Sequence, residues 1–315
     1  MKISLGRAWP SIATLAMLLL FLAFAAPHFY NAGNLRDLAL ANVPVLLVAL
    51  GMTLVITVAQ IDISVGSLFA VCSVFCGVIA RLGAPTPVWA LGAVATGAVL
   101  GSINGGLVSF VKAPSIVVTL ATMVAWRETL NWATAGAWIE GLPSTFQWFG
   151  LGQSAGEIAI IICALGIFGV IAWASQNIAA LRIIFATGSD TEAARLAGIP
   201  VRRVVFYVFV LMGALTGIAA LLNSVRFSDV PANTGINLEL KAIAAVVVGG
   251  TPITGGRGTL LGTFCGVILL GVVAPALTFL GINPYWEKAI QGAIILATVF
   301  FDAATSRRGR RLGIA

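Results

Sequence analysis

Long apolar runs separated by short polar turns fill almost the whole chain. Most runs approach the roughly 20 residues that an α-helix needs to cross the hydrocarbon core of a bilayer. Helices are predicted at residues 9–26, 38–58, 67–79, 88–111, 115–133, 157–174, 204–222, 238–248, 260–280 and 285–301. The pattern therefore predicts an all-α polytopic membrane protein with about ten transmembrane helices in one transmembrane domain, residues 1–315.

One run is interrupted in an unusual way. The helix predicted at 238–248 is too short to span the bilayer alone, and a glycine hinge at 249–258 follows it directly. The residues of this hinge that we single out are Gly249, Gly250, Gly255, Gly256, Arg257 and Gly258. Broken helices are tolerated at membrane depth where protein or a water-filled cavity surrounds them. The hinge therefore indicates a gate or a contact between segments, and the alternative is an ordinary loop.

Composition agrees with the membrane assignment. The chain is 59% hydrophobic and only 9% charged, whereas soluble domains carry about 25% charged residues. The net charge of +7 comes from Lys and Arg placed between apolar runs and clustered near the C-terminus, at Arg307, Arg308, Arg310 and Arg311. Twelve of the 18 basic residues fall on the side that holds both termini. The positive-inside rule makes that side cytoplasmic, so nucleic acid is not an expected partner.

Two features at first suggest other classes of protein. Residues 1–26 resemble a secretory signal, but the apolar run is longer than a usual signal core, so a retained first helix is predicted. The four cysteines, Cys72, Cys76, Cys163 and Cys265, lie inside apolar runs without metal-ligating neighbours. We expect small, buried, free thiols and no metal site.

An enzyme acting alone is not expected. The hinge lacks the lysine and the following hydroxyl residue of a phosphate-binding loop, and no catalytic cluster is visible. An ion-coupled secondary transporter is a second possibility, but it should carry several intramembrane carboxylates. Only Asp62 and Glu239 qualify.

The longest polar stretch, residues 176–203, is predicted to lie in the cytoplasm. Ser189 or Asp190 can cap a short helix at 191–196 that Gly198 and Pro200 terminate. Such a helix can present a surface to a soluble partner, and the alternative is a connecting loop. The residues assigned to this coupling segment are Gly188, Asp190, Glu192, Ala193, Ala194, Arg195 and Gly198.

Four motifs, in order along the chain, resemble the membrane-spanning permeases of ribose-type ABC importers. They lie at 60–66 (QIDISVG), 115–122, 188–199 and 242–258. The resemblance covers nearly the whole chain, with Gln60 where the family usually begins its first motif with Gly. Residues 138–143 and 235–243 look most like the autoinducer-2 and rhamnose permeases of that branch.

This resemblance implies an importer in the bacterial inner membrane. It implies a permease subunit that carries a monosaccharide or sugar-like solute, of ribose, rhamnose or autoinducer-2 type. Two permease chains, identical or different, would form the pathway, and a periplasmic binding protein would deliver the solute. Cytoplasmic ATPase subunits would bind the ATP and dock on residues 188–200, so the permease itself needs no cofactor.

Neutral polar groups suit a pathway for an uncharged solute. The neutral candidates are Ser64, Asn104, Thr119, Asn131, Asn223 and Thr251, and the carboxylate Asp62 is a separate candidate. Ser, Thr and Asn also hydrogen-bond between packed helices, which is the alternative role for each of them. Asp62 could pair with Arg257 on the same side of the membrane. Alternatively, Asp62 could cap the helix that follows it.

Overall fold

The computed structural model describes residues 5–283, 285–294, 296–297 and 300. In these ranges the regular elements are helices, with one isolated β-bridge between Ile139 and Val230. The α-helices are α1 (Leu5–Ala25), α2 (Ala32–Thr57), α3 (Val65–Arg81), α4 (Thr86–Ser109), α5 (Ser115–Thr134), α6 (Gln153–Asn177), α7 (Ala179–Ser189), α8 (Thr191–Leu196), α9 (Val201–Ser224), α10 (Leu238–Val248) and α11 (Leu260–Phe279). Short 3-10 helices occupy Pro27–Tyr30 and Gln147–Gly150, and residues 286–294 are helical again.

Five of the described helices, α2, α4, α6, α9 and α11, are long and apolar enough to cross a membrane. Together with the helical content, they confirm the predicted all-α fold and are consistent with a polytopic membrane protein. The basic cluster near the C-terminus lies outside the described residues, as do residues 295, 298, 299 and 301 of the helix predicted at 285–301.

Helices α4 and α9 form the centre of the bundle. They run antiparallel and touch backbone to backbone, because Gly97 and Gly101 on α4 face Gly213 and Phe209 on α9. A Cβ on either Gly97 or Gly213 would collide with the carbonyl of the other. Small residues that bring backbones together are the usual means of packing helices in lipid, where little hydrophobic force acts between them.

Helix α2 packs antiparallel against another side of α9. Gly51 faces Met212 near the middle of the two helices, and Arg226, just after α9, donates to the Leu40 carbonyl at 3.2 Å. These contacts define two ends of the bundle. The hinge end holds residues 58–64, 178–200 and 249–259. The opposite end holds residues 135–152 and 225–230.

The chain re-enters the bundle after α9 without forming a helix. Val230 pairs with Ile139 near the far end of α3, and Gly235 already lies against Gly66 in the first turn of α3. Helix α10 begins only there, so it covers just the part of the path nearest the hinge end. The bounds of α10 match the prediction. The irregular residues 225–237, called here the re-entrant segment, lead from α9 into it.

The largest differences from the predicted helices are the start of α2 and the presence of α7. Helix α2 begins six residues earlier than predicted because Asn31 caps it, with Asn31 Oδ1 accepting from Gly33 N at 2.9 Å. Helix α7 was not predicted at all. Its apolar residues lie within residues 176–203, a stretch whose average composition is polar, so the apolar pattern of α7 was not recognised.

The cysteine prediction needs a correction. Cys72 and Cys76 on α3 are buried, but Cys265 is only half-buried and Cys163 on α6 is exposed. Helix α6 packs few of its residues against the rest of the described chain, so most of its apolar surface faces outward. All four thiols are free, as expected.

Candidate functional site

The predicted short helix of the coupling segment forms with the predicted bounds. Asp190 caps α8 by accepting from Glu192 N at 3.0 Å and from Ala193 N at 2.9 Å. Gly198 adopts φ +83° after the last turn, a left-handed conformation that glycine adopts without strain. Caps at both ends let a helix of only six residues persist outside the apolar core.

One side of α8 is free to meet a partner. Glu192 and Arg195 pair with each other on its exposed face, with Arg195 Nε 3.0 Å from Glu192 Oε2. This hydrogen bond lowers the pKa of Glu192, so the carboxylate stays charged at neutral pH. Leu196 is 76% exposed, while Ala194 is buried against the protein. The exposed face thus combines a charged pair with an apolar side chain.

A glycine seam joins the coupling segment to the hinge. Gly188, in the last turn of α7, lies so close to the Thr57 carbonyl at the end of α2 that a Cβ could not fit. Gly256 N donates to the same carbonyl at 2.8 Å, and Ser189 Oγ donates to the Gly256 carbonyl at 2.9 Å. Three separate segments therefore meet through backbone atoms, and α7 cannot move far without displacing the hinge.

The other hinge glycines pack closely against neighbouring residues or adopt left-handed conformations. Gly255 adopts φ +83° and lies against Ala59, just beyond α2. Gly250 adopts φ +86°, Gly249 packs on the backbone of Gly262 in α11, and Gly258 lies against the side chain of Thr251. The hinge is thus an ordered turn packed on the ends of α2 and α11, and its left-handed residues explain why glycine is needed there.

Four of the pathway candidates lie at one place. Ser64 N and Ser64 Oγ donate to Asp62 Oδ1 at 2.9 and 2.6 Å, and Asn104 Nδ2 donates to Ser64 Oγ at 2.8 Å. Thr119 Oγ1 donates to the Ile61 carbonyl at 3.4 Å and to the Ser115 carbonyl at 2.8 Å. Asp62, Ser64, Asn104 and Thr119 are all completely buried. This polar cluster ties α3, α4 and α5 together near the hinge end.

The proposed ion pair between Asp62 and Arg257 does not form. Arg257 is exposed on the hinge, whereas Asp62 is buried and bonded to Ser64, the residue directly before α3. A carboxylate two residues upstream that accepts from the backbone N–H satisfies the local turn without a cation. The alternative, that Asp62 caps α3, is also not seen, because the N-cap residue is Ser64 and no described side chain accepts from the first turn; Asp62 instead orders the turn that leads into α3. Asp62 Oδ2 has no hydrogen-bond partner among the described residues.

The remaining pathway candidates are scattered. Asn131 lies half-buried near the end of α5, and Asn223 lies half-buried near the end of α9, both toward the opposite end. Thr251 is buried in the hinge, and its hydroxyl has no partner in the described part of the chain.

Arg127 on α5 was not found from the sequence. Its guanidinium donates to the Gly66 carbonyl at 2.9 Å through Nη2 and to the Thr234 carbonyl at 2.9 Å through Nη1. Arg127 thus clamps the re-entrant segment to α3, with Glu239 of α10 as the nearby negative charge. An arginine in the middle of an apolar helix is an expensive placement, which is the one signal that could have identified it.

Among the described residues, no group of three His, Cys, Asp or Glu side chains could hold a metal ion. The geometry therefore consists of an exposed capped helix, a glycine seam beneath it and a broken helix behind the seam.

Comparison of the sequence with known proteins shows the family of the chain. A family model described as "Branched-chain amino acid transport system / permease component" matches residues 34–299. The chain belongs to this permease family. The autoinducer 2 import system permease protein LsrC of Salmonella typhi is 32% identical over 302 residues, which cover 94% of this chain and 86% of that protein.

Other relatives give the same result. LsrC of Escherichia coli O157:H7 is 34% identical over 297 residues, covering 92% of the permease and 85% of the relative. LsrC of Salmonella typhimurium is 36% identical over 262 residues, covering 82% and 74%. No solved structure matches the permease.

These similarities confirm the family resemblance predicted from the motifs. The permease is a transport subunit of an ABC importer and not an enzyme. Nothing in the comparisons supports the ion-coupled alternative.

Proposed function

We propose that the permease forms the membrane pathway for a monosaccharide or sugar-like solute of ribose, rhamnose or autoinducer-2 type. The support is the similarity to autoinducer 2 import permeases along almost the full length of both chains. The family description mentions branched-chain amino acids, but the individual relatives quoted above are autoinducer 2 import proteins.

The chain crosses the bacterial inner membrane ten times in this proposal. The crossings are α1, α2, α3, α4, α5, α6, α9, the re-entrant segment with α10, α11 and the helix predicted at 285–301. Helices α7 and α8 stay outside the bilayer at the hinge end. An even number of crossings puts both termini at that end, and the excess of basic residues there makes it cytoplasmic.

ATPase subunits dock on the exposed face of α8 and bind the ATP. The observation that carries this proposal is the seam in which Gly188, Ser189, Thr57 and Gly256 meet. Movement of α8 and α7 is passed directly to the hinge and to the end of α2, so ATP-driven closure of the ATPase pair opens or closes the hinge. A second permease chain completes the pathway, and a periplasmic binding protein delivers the solute at the opposite end.

The hinge then acts as the cytoplasmic gate. The polar cluster of Asp62, Ser64, Asn104 and Thr119 is closed to solvent, so a solute reaches it only when the helices around it separate. Rigid-body movement of packed helices is the usual form of such a change.

Reconstitution tests the transported class and the energy source together. Vesicles that contain the permease, its ATPase and its binding protein should accumulate labelled autoinducer 2, ribose or rhamnose only with ATP on the cytoplasmic side. Labelled leucine serves as the control for the alternative that the permease transports branched-chain amino acids, as the family description would suggest. Accumulation driven by an ion gradient without ATP, or accumulation of leucine alone, contradicts the proposal.

Removal of the charged pair on α8 tests the docking site. The double substitution Glu192→Ala with Arg195→Ala should uncouple ATP hydrolysis from uptake and leave the thermal stability unchanged, since both side chains are exposed. Lys112→Ala is a suitable control because Lys112 is an exposed cation at the same end, outside the coupling segment. Normal coupling in the double variant would remove α8 from the docking site.

A further inference from the structure

A cavity of about 280 Å³ opens at the opposite end of the bundle, far from the coupling segment. It lies between the end of α9 and the re-entrant segment, and neither the seam nor the polar cluster accounts for it. Its volume is slightly below the roughly 300–1,000 Å³ of pockets that hold drug-sized ligands. The occupant must therefore be small.

The walls of the cavity combine aromatic faces with uncharged and acidic polar groups. The aromatic residues are Trp138 and Phe227, which are 53% and 45% exposed. The polar residues are Asn223, Ser224, Asp229 and Thr234. Aromatic rings pack against the C–H faces of a polyol, and carboxylate, amide and hydroxyl groups exchange hydrogen bonds with its hydroxyls.

Ser224 is a further polar residue of the cavity wall. Its side chain is only 3% exposed, it lines the cavity, and its Oγ has no hydrogen-bond partner among the described residues. A hydroxyl in a helix commonly bonds to a carbonyl of the preceding turn, as Thr216 does to Met212 at 2.9 Å in the same helix. A buried hydroxyl without such a bond costs free energy unless a ligand or water completes it.

The charges in the cavity favour a neutral polyol over an amino acid. No Lys, Arg or His is among the residues that line it. The nearby Arg226 already donates to the Leu40 carbonyl and lies 3.4 Å from Asn223 Oδ1. Arg226 Nε is buried and has no partner in the described part of the chain. Asp229 repels the carboxylate of an amino acid, whereas Asp229 and Asn223 can bind the hydroxyls of a neutral polyol.

The cavity adjoins the segment that leads into α10. Val230 and Thr234, both in the re-entrant segment, line it. Val230 is held to Ile139 by hydrogen bonds of 2.9 and 3.1 Å, and the Thr234 carbonyl is clamped by Arg127. An occupant therefore contacts the re-entrant segment, which leads into α10 and then into the glycine hinge.

We propose that this cavity is an outer subsite that binds a small neutral polyol before it enters the pathway, with Trp138, Asp229 and Ser224 as its main contacts. The proposal rests on the proposed import of a sugar-like solute. The subsite receives the solute from the delivering protein and transmits its presence to the re-entrant segment.

Direct binding to the full-length permease in lipid nanodiscs tests the subsite without any partner protein. Saturation-transfer NMR should detect D-ribose or L-rhamnose on the wild type and no L-leucine. Trp138→Ala should weaken binding about tenfold through the loss of the aromatic face. Asp229→Asn should weaken it about fivefold, because a charged acceptor is replaced by a neutral one.

Trp132→Ala is the matched control, since Trp132 is 85% exposed on α5 and does not line the cavity. It should bind like the wild type. No binding of either sugar, equal binding by all three variants, or tighter binding of leucine overturns the subsite.

Measurement of solute uptake by reconstituted vesicles distinguishes failure of this inference from failure of the proposed function. Failure of the proposed function is seen as wild-type vesicles that accumulate no sugar-like solute with ATP. Failure of the subsite is seen as wild-type vesicles that do accumulate it, with unchanged uptake and binding in Asp229→Asn.

Discussion

At the scale of single residues, many of the contacts that hold this permease together are made by backbone atoms. The seam, the hinge and the contact between α4 and α9 all depend on glycine, and Arg127 bonds to carbonyls rather than to side chains. Backbone groups inside a membrane must be satisfied by protein, so each of these contacts also compensates irregular structure.

Arg127→Lys tests the clamp on the re-entrant segment. A lysine keeps the charge but cannot reach both carbonyls with a planar fork, so the free energy of unfolding should fall by about 1.5–3 kcal/mol. The buried Cys72 and Cys76 report unfolding directly through the temperature at which they react with a thiol dye.

Arg81→Lys controls for the chemistry of the substitution. Arg81 lies exposed at the end of α3, and this change should leave the midpoint of the thiol reaction unaltered. Equal midpoints for both variants would show that Arg127 does not hold the segment.

At the scale of elements, local signals and long-range contacts differ in how well the sequence predicts them. The cap at Asp190, the bounds of α8 and the bounds of α10 follow from local residue patterns, and the structure confirms them. The prediction that Asp62 pairs with Arg257 was wrong. The opposite charges suggested the pair, but they do not show that Ser64 lies closer to the Asp62 carboxylate than Arg257 does. The seam and Arg127 join residues far apart in the chain, and a single sequence contains no distance information.

Ser189→Ala tests the link between α7 and the hinge without disturbing the backbone. Loss of the bond to the Gly256 carbonyl should loosen coupling, so that more ATP is hydrolysed for each solute transported. The parallel substitution Ser102→Ala removes an exposed hydroxyl that bonds only within its own helix, to the Val99 carbonyl at 2.7 Å. If both variants couple equally, the side-chain link has no role.

The hinge itself can be tested with Gly255→Val and Gly256→Val together. Both positions have positive φ, at +83° and +76°, which a β-branched residue adopts only with strain. Uptake should be lost, while the binding protein should still dock at the opposite end in a pull-down on the reconstituted complex. Loss of docking would mean that the hinge determines the structure of the surface to which the binding protein docks, and would contradict its placement at the cytoplasmic end.

At the scale of the whole molecule, the two ends have separate tasks. The hinge end carries the exposed α8 and the seam, and the opposite end carries the cavity above the re-entrant segment. Helix α10 connects them because it begins at the re-entrant segment and ends at the hinge. The apolar pattern was sufficient to predict the helical class and the shortness of α10. The path of residues 225–237 could not be predicted, because irregular backbone inside a bundle is specified by tertiary contacts.

The central claim is that the seam transmits movement of the coupling helix to the hinge. Gly188→Ala tests it most directly, because a Cβ there would meet the Thr57 carbonyl, and Gly169→Ala is the matched control on a helix with nothing within 4 Å. The measurement is the number of ATP molecules hydrolysed for each solute accumulated by reconstituted vesicles. We predict that this number rises several-fold in Gly188→Ala and stays at the wild-type value in Gly169→Ala, whereas a wild-type value in both would contradict the claim.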